Sequence, residues 1–330
     1  MIINVNSGES YTLPQLNINY PENTTVVSGN NATFSVVVSA HGKPATYTYQ
    51  WYVNGNPVTG ANSAYYTRDT SSDKGVYEVY CIVTNKAGEI YSRKATMTVY
   101  KTPVLNASFP ADASVVVHNS ATFAAVGYET GYPDSYTYQW YVDNVAQSGA
   151  TGHNFSYTPT SVGTYNVYCA VTNGAGTVHT RTATLTVEKF YLYKNGVEST
   201  KFQAVSMVVG GDGSYYPFDT ATFNGDNIYL RCSNQYQASI ASVGTVDVSK
   251  FSKLCAKLSS YGNSTSSGYK HFGLYSAYNA KTSAVATATL KQGTVEVGVS
   301  NISGAYYVAI ALNSSYGYSA TATVTEIWLE

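Results

Sequence analysis

The sequence has few charged residues. Only 11% of its 330 residues are charged, against about 25% in ordinary globular chains, and the formal net charge is −1. Like charges do not form runs, so the chain lacks the basic groove that binds nucleic acid and the polybasic patch that binds anionic membranes. We therefore expect no nucleic-acid partner.

Long apolar runs are also missing. No stretch approaches the roughly 18 apolar residues that a membrane span needs, so we expect no membrane insertion. The first residues, MIINVNSGESYTLPQ, do not place a charged segment before a long apolar run. This pattern predicts that the chain has no signal peptide.

Cysteine is scarce, and catalytic motifs are not visible. The four cysteines have no metal-ligand spacing, form no Cys-x-x-Cys motif and are too few for a disulfide scaffold. The five histidines are scattered, and GGDG (Gly210–Gly213) lacks the helix and lysine of a phosphate loop. We therefore predict no catalytic residue. A glycan-active enzyme, which needs two carboxylates about 5–10 Å apart, is the least favoured alternative.

What the chain has in abundance favours strands. Apolar residues make up 44%, and Tyr alone contributes 33 residues, beside many Thr, Ser, Asn and Gly. Aromatic and β-branched residues favour strands, whereas Asn, Ser and Gly favour turns. The composition predicts an all-β protein with packed cores.

One block of sequence occurs twice. TYTYQWYV (Thr46–Val53) recurs as SYTYQWYV (Ser135–Val142), and GVYEVYCIVTNKAG (Gly75–Gly88) recurs as GTYNVYCAVTNGAG (Gly163–Gly176). The offset is 88 or 89 residues, which is the length of one β-sandwich. Side chains in both stretches alternate with a period of two, which is typical of strands that are buried on one face.

These motifs resemble immunoglobulin-like (Ig-like) or PKD-like domains. The resemblance covers roughly residues 18–188 and implies two tandem sandwiches with tyrosine corners. Phe34 and Phe123 stand where an antibody domain has its first cysteine, so Cys81 and Cys169 are expected to be buried free thiols, with a reactive or intermolecular thiol as the alternative. The structural core implied by the resemblance consists of Trp51, Tyr77, Cys81, Trp140, Tyr165 and Cys169.

The last 140 residues contain eight strand-like segments without the repeat, which predicts a jelly-roll-like sandwich. TVDVSKFSKLCAKL (Thr245–Leu258) and VGVSNISGAYYVAIAL (Val297–Leu312) resemble galactose-binding or carbohydrate-binding modules. The opening strand of this part, FYLYKNG (Phe190–Gly196), resembles the start of C-terminal domains in tail and accessory virion proteins of phages that infect gut bacteria. The predicted organisation is an arm (1–17), two Ig-like domains (18–100 and 101–188) and a C-terminal sandwich (189–330) with an expected role in adhesion.

Candidate ligand residues lie in the C-terminal part. Aromatic loop residues could stack on sugar rings, although Tyr is so common here that clusters also arise by chance. This set is Tyr215, Tyr216, Phe218, Tyr236, Tyr261 and Tyr269. Asp212, Asp219 and Asp226 could bind Ca²⁺, or they could simply cap turns. We expect no other cofactor, and no disulfide between Cys232 and Cys255, because their strand neighbours differ in kind.

Extracellular-type sandwiches without an export signal fit a phage protein that is made in the host cytoplasm and released by lysis. The sequence therefore predicts a non-enzymatic virion surface protein, a fibre or decoration attached to tail or head. Its arm would bind other virion proteins, and its C-terminal domain a bacterial surface glycan or receptor. A homotrimer would multiply weak contacts. The alternative is a bacterial cell-surface adhesin or carbohydrate-binding protein.

Overall fold

The computed structural model describes residues 10–204, 219–233, 236–263, 270–277, 283–314 and 316–330. Regular structure in these residues consists of β-strands. No helix among them is long and apolar enough to span a membrane. The fold is all-β, with two tandem Ig-like sandwiches followed by a jelly-roll-like sandwich.

The first repeat forms a sandwich around Trp51. Its main sheet has the order β2-β10-β8-β5-β6, with β9 also paired to β8, while β3 pairs with β7 and β1 with β4. The pairing of β2 with β10 is parallel. The strands are β1 (Gln15–Leu16), β2 (Thr24–Val27), β3 (Asn31–Ser35), β4 (Val38–Ala40), β5 (Thr48–Val53), β6 (Asn56–Pro57), β7 (Tyr65–Asp69), β8 (Gly75–Asn85), β9 (Gly88–Tyr91) and β10 (Ala95–Tyr100).

The second repeat reproduces this arrangement. Its main sheet has the order β12-β20-β18-β15-β16, with β19 paired to β18, and the smaller pairs are β13 with β17 and β11 with β14. The strands are β11 (Val104–Leu105), β12 (Ala113–Val116), β13 (Ala121–Ala124), β14 (Gly127–Glu129), β15 (Thr137–Val142), β16 (Val145–Ala146), β17 (Asn154–Tyr157), β18 (Gly163–Asn173), β19 (Gly176–His179) and β20 (Ala183–Glu188).

The structure corrects the predicted arm at residues 12–16. Thr12 bridges Lys43, and β1 pairs with β4, so these residues form an edge of the first sandwich. The second repeat has the same edge, with Lys101 bridging Tyr132 and β11 pairing with β14. The strand was missed because it is only two residues long and follows a proline, which hides the alternation. Residues 1–9 lie outside the described residues.

The C-terminal sandwich has two antiparallel sheets. One has the core order β25-β33-β28-β31, and the other β26-β32-β29-β30. Apart from the β29–β30 hairpin, successive strands of these two sets alternate between the sheets, which is the jelly-roll-like arrangement. The strands are β21 (Phe190–Lys194), β22 (Val197–Glu198), β23 (Phe202–Ala204), β24 (Thr220–Asn224), β25 (Asn227–Ser233), β26 (Gln237–Ser242), β27 (Val246–Asp247), β28 (Lys253–Asn263), β29 (Lys270–Tyr275), β30 (Ala284–Thr289), β31 (Gly293–Gly298), β32 (Ala305–Asn313) and β33 (Ser319–Leu329).

The chain divides into two compact units. The first comprises residues up to Asp112 together with Thr122–Phe155 and Asn166–Thr184, and the second comprises Ala113–Ala121, Ser156–Tyr165 and Leu185–Glu330. This division passes through the second repeat, whereas the sequence pattern places boundaries after residues 100 and 188, where β10 and β20 end. Both repeats therefore remain the units of hydrogen-bonded topology.

The four cysteines are buried free thiols. Cys232 lies in the core between the two C-terminal sheets, among residues that include Ile228 and Leu230. Cys255 lies on β28 opposite Trp328 of β33 and does not belong to that core cluster. The two thiols therefore have different surroundings, in line with the expectation that they form no disulfide.

Candidate functional site

The residues assigned to the repeat cores occupy matching places in both repeats. The indole nitrogen of Trp51 donates a 2.8 Å hydrogen bond to the Ser63 carbonyl, and that of Trp140 donates a 2.9 Å bond to the Gly152 carbonyl. Both rings are fully buried, because each lies on a central strand whose inner face points into the sandwich. They are structural anchors.

Tyr77 and Tyr165 are half-buried rather than in the centre of the cores. The Tyr77 hydroxyl donates to the Lys74 carbonyl at 3.1 Å, and the Tyr165 hydroxyl donates to the Ser161 carbonyl at 2.8 Å. A bond from a tyrosine back to the preceding backbone is the geometry of a tyrosine corner.

The thiols of the repeats lie beside the tryptophans and are poor nucleophiles. Burial raises the pKa of Cys81 to about 12 and that of Cys169 to about 11, while a backbone hydrogen bond opposes each shift. The thiolate is the reactive form, so these side chains act as packing groups at neutral pH.

The candidate binding surface is one end of the C-terminal sandwich, which we call the loop end. Strand pairing brings the ends of six strands together there: Ser233 of β25 lies opposite Ser319 of β33, Asn263 of β28 opposite Ala320, Gln237 of β26 opposite Asn313 of β32, and Lys270 of β29 opposite Leu312. The loops β25–β26, β28–β29 and β32–β33 leave from this end.

Two of the predicted aromatic residues lie in the described part of the chain. Tyr236 is at the loop end and 40% exposed, and its backbone bonds to Ser233 and Ser314. Tyr261 is on β28, where it packs against the core, and burial raises its pKa. Tyr261 is thus partly taken up by packing. The other four predicted residues, Tyr215, Tyr216, Phe218 and Tyr269, lie outside the described residues.

The sequence pattern missed two exposed tyrosines at the loop end. Tyr316 is 78% exposed and Tyr318 is 46% exposed, both between β32 and β33. The segment NSSYGYS has the same glycine and serine punctuation that identified the other loops. With Tyr236, they supply aromatic contact area on a loop surface.

Polar groups lie buried beneath the loop end. Lys270 is 4% exposed, and it alternates with Phe272 and Leu274, two core residues of β29. Burial lowers the pKa of this lysine. Burial raises the pKa of the nearby Cys232 thiol, and a hydrogen bond with Ser314 opposes that shift. These groups suit a rigid base for the loops rather than an acid–base pair.

The hairpin geometry separates two of the three aspartates that were predicted to bind Ca²⁺. Asp219 precedes β24 and accepts hydrogen bonds from Thr220 at 2.9 Å and Ser233 at 3.2 Å, whereas Asp226 lies in the turn after β24. Five strand residues span about 17 Å, so one ion cannot bind both carboxylates. Asp212 lies outside the described residues. Within the described part, no group of three His, Cys, Asp or Glu side chains could hold a metal ion.

A curated phage protein is similar to part of this chain. The chain is 29% identical over 157 residues to the highly immunogenic outer capsid protein of Enterobacteria phage T4. The match covers 45% of this chain and 41% of that protein, so it spans about two fifths of the relative's length. No protein-family model matches the sequence. The chain thus resembles a phage surface protein over part of its length.

Solved structures with tandem immunoglobulin domains are also similar. Sidekick-1 domains 1–4 match at 21% identity over 53% of this chain and 48% of that one, with a TM-score of 0.39. Titin I67–I69 matches at 14% identity over 94% and 93%, with a TM-score of 0.42. The N-terminal four domains of Dscam1 isoform 6.9 match at 19% over 55% and 47%, with 0.38. The Ig-like assignment itself rests on the strand pairing described above.

Proposed function

We propose that this chain is a non-enzymatic surface protein of a phage virion, attached to the head or tail as a fibre or decoration. The two Ig-like repeats are spacers, and the C-terminal sandwich contacts the bacterial surface or its glycans. The observation that carries the proposal is the similarity to a phage outer capsid protein in a chain that repeats an Ig-like sandwich.

The repeats suit a spacer because the side chains that both copies share have structural roles. The shared tryptophan, cysteine and tyrosine positions are engaged in core packing or backbone hydrogen bonds, as described for Trp51 and Trp140. A module that is repeated only to add length has to keep its fold, but it needs no particular residues on its surface.

The loop end supports the contact role of the C-terminal sandwich. Tyr236, Tyr316 and Tyr318 are each at least 40% exposed on loops, which carry binding residues more often than strands do. A tyrosine ring offers an apolar face to a sugar ring and a hydroxyl to its polar edge.

Attachment is tested with virions that lack the protein. The purified full-length chain is added to virions made without its gene, and bound protein is located by immunogold electron microscopy. We expect saturable labelling at a regular site on head or tail. Recovery in the bacterial envelope fraction, with no labelling of virions, would favour the adhesin alternative. Sedimentation of the full chain tests the predicted trimer.

Cell contact is tested by loop-end variants. A triple variant, Tyr236→Ala, Tyr316→Ala and Tyr318→Ala, is compared with the full chain on host cells and on a glycan array. The control is Tyr65→Ala, since Tyr65 is 69% exposed on the first repeat. We expect at least tenfold weaker binding for the triple variant only. Equal loss in the control, or no loss in either, would contradict the assignment to the loop end.

The anchoring role of the N-terminus is tested by deleting only part of the predicted arm (1–17), because Thr12 and β1 belong to the first sandwich. Removing residues 2–9 leaves Thr12 and β1 on the first sandwich. We expect this variant to lose attachment to virions while keeping its melting temperature. Full attachment of the variant would refute the arm as the anchor.

A further inference from the structure

The second repeat has an open pocket beside its core. Its volume is about 290 Å³, which is near the lower limit of ligand pockets. Tyr136, Tyr138 and His153 provide aromatic walls, while Ala125 and Val171 belong to its apolar lining. The pocket lies within one sandwich, and residues of β11, β14, β15 and β18 line it.

Comparison of the two repeats explains the open space. Ala125 donates to the His153 carbonyl just as Val36 donates to the Ala64 carbonyl, so Ala125 corresponds to Val36. Gly127 lies opposite Leu105 as Val38 lies opposite Leu16. The first repeat therefore has two more side-chain carbons at Val36 than the second has at Ala125, and three more at Val38 than the second has at Gly127. A Cβ placed on Gly127 would meet no atom within 4 Å.

The first repeat also supplies its own ring at the corresponding place. His41 stacks on Tyr47, with ring centroids 6.2 Å apart and planes 7° apart, and its Nδ1 lies 3.2 Å from the tyrosine oxygen. In the second repeat Tyr136 corresponds to Tyr47, because both hydroxyl oxygens accept a bond from the glycine five residues earlier. Thr130 stands at the position of His41 and offers no ring.

The polar groups of the pocket favour an uncharged ligand. Glu129 is within 3.2 Å of the Lys74 amine and 3.5 Å of the Lys101 amine, and these contacts lower its pKa. Its charge is thus already matched. Burial raises the pKa of Tyr138, so its hydroxyl stays neutral. A sugar would need several unengaged polar side chains for its hydroxyls, whereas a planar ring needs mainly the aromatic walls.

We propose that this pocket binds an uncharged aromatic ring, a phenyl or phenol group that stacks on Tyr136 where the first repeat places His41. Either a free aromatic compound or the aromatic side chain of a protein has this chemistry. The inference goes beyond the function proposed above, and ring binding by the purified chain neither requires nor establishes attachment to a virion.

The test is ligand-observed NMR titration of the full chain with three probes. These are p-cresol as a free ring, N-acetyl-tyrosinamide as a ring on a peptide backbone, and methyl β-galactopyranoside as a sugar. Gly127→Val closes the space as in the first repeat, and Thr130→His supplies the ring. The control is Gly298→Val, because Gly298 is also an exposed strand glycine with open space around it.

We expect at least one aromatic probe to bind the wild type and the control with a dissociation constant on the order of 1 mM, as small fragments do. Both pocket variants should bind it at least tenfold more weakly. Binding of N-acetyl-tyrosinamide would identify a protein side chain as the source, and binding of p-cresol alone a free compound. No saturation by either aromatic probe, unchanged binding in both pocket variants, or preference for the sugar would overturn the proposal.

Discussion

Replacing Asp73 by Asn should destabilise the first repeat alone. Arg68 donates two hydrogen bonds to Asp73, at 2.6 and 2.9 Å, and its guanidinium lies 5.5 Å from the Tyr77 ring. The side chains are 27% and 12% exposed. Exposed pairs contribute about 0–1 kcal/mol, and breaking a fully buried pair costs about 3–5 kcal/mol. This intermediate pair should therefore cost about 2 kcal/mol, because the arginine charge stays partly buried without its partner.

The three tryptophans provide the assay. Trp51, Trp140 and Trp328 lie one in each sandwich, so 5-fluorotryptophan labelling gives a separate ¹⁹F signal for each. With urea slopes near 1–2 kcal/mol per M, the Trp51 midpoint should fall by about 1–2 M. Ser161→Ala, at the position of Asp73 in the second repeat, is the control. A decrease of less than about 0.3 M in the Trp51 midpoint, or equal decreases in the midpoints of all three signals, would refute the reasoning.

Three further outcomes are expected. The four cysteine thiols should not react with a disulfide reagent at pH 8 until the chain unfolds, since burial raises the pKa of Cys169 to about 11 and of two others to about 12; fast labelling of one thiol per native chain would contradict this. Tyr77→Phe and Tyr165→Phe should each cost about 1 kcal/mol for a lost hydrogen bond, read from the ¹⁹F midpoints; no shift in either would show that the corners are dispensable. Burial and Lys250 lower the pKa of His118 in the folded state. The unfolded chain therefore takes up that proton first, and stability should fall as the pH drops below about 6.5. His118→Gly, which restores the residue found at Gly29, should show a smaller loss between pH 7.5 and 5; an identical loss would exclude this histidine as the cause.

The sequence predicted what repeats and alternates. The Trp-bearing strands and the two sandwich-length repeats follow from period-two patterns and an offset of 88 or 89 residues. The lack of a cysteine partner at Phe34 was instead implied by the resemblance to Ig-like domains. The edge strand at Gln15–Leu16 could not be predicted, because two residues carry no period. The distance between Asp219 and Asp226 could not be predicted either, because only the β24–β25 hairpin shows that a strand separates the two residues.

Surface sites were less accessible to sequence reasoning. A lysine is usually exposed, so the sequence does not indicate that Lys270 is buried, as the structure shows it to be. The pocket of the second repeat depends on Gly127 and Ala125, which lie in a stretch (residues 124–130) where only Val126 matches the first repeat. In the sequence alone, a small residue at these positions has no evident consequence. The pairing of Gly127 with Leu105 of β11 shows that it leaves the pocket open.

The parallel pairing within each repeat has a mechanical consequence. Residues 24–27 pair in parallel with residues 97–100, and residues 113–116 pair in the same way with residues 185–188. Tension applied between the start and end of a repeat pulls these two strands past each other along their length. All the hydrogen bonds of the pair then carry the load together, instead of opening one after another as in a hairpin pulled from its ends. Forced unfolding depends on the rate of this rupture rather than on equilibrium stability. Each repeat should therefore resist pulling forces, such as the drag of flowing liquid on a tethered particle, better than its melting temperature alone would suggest.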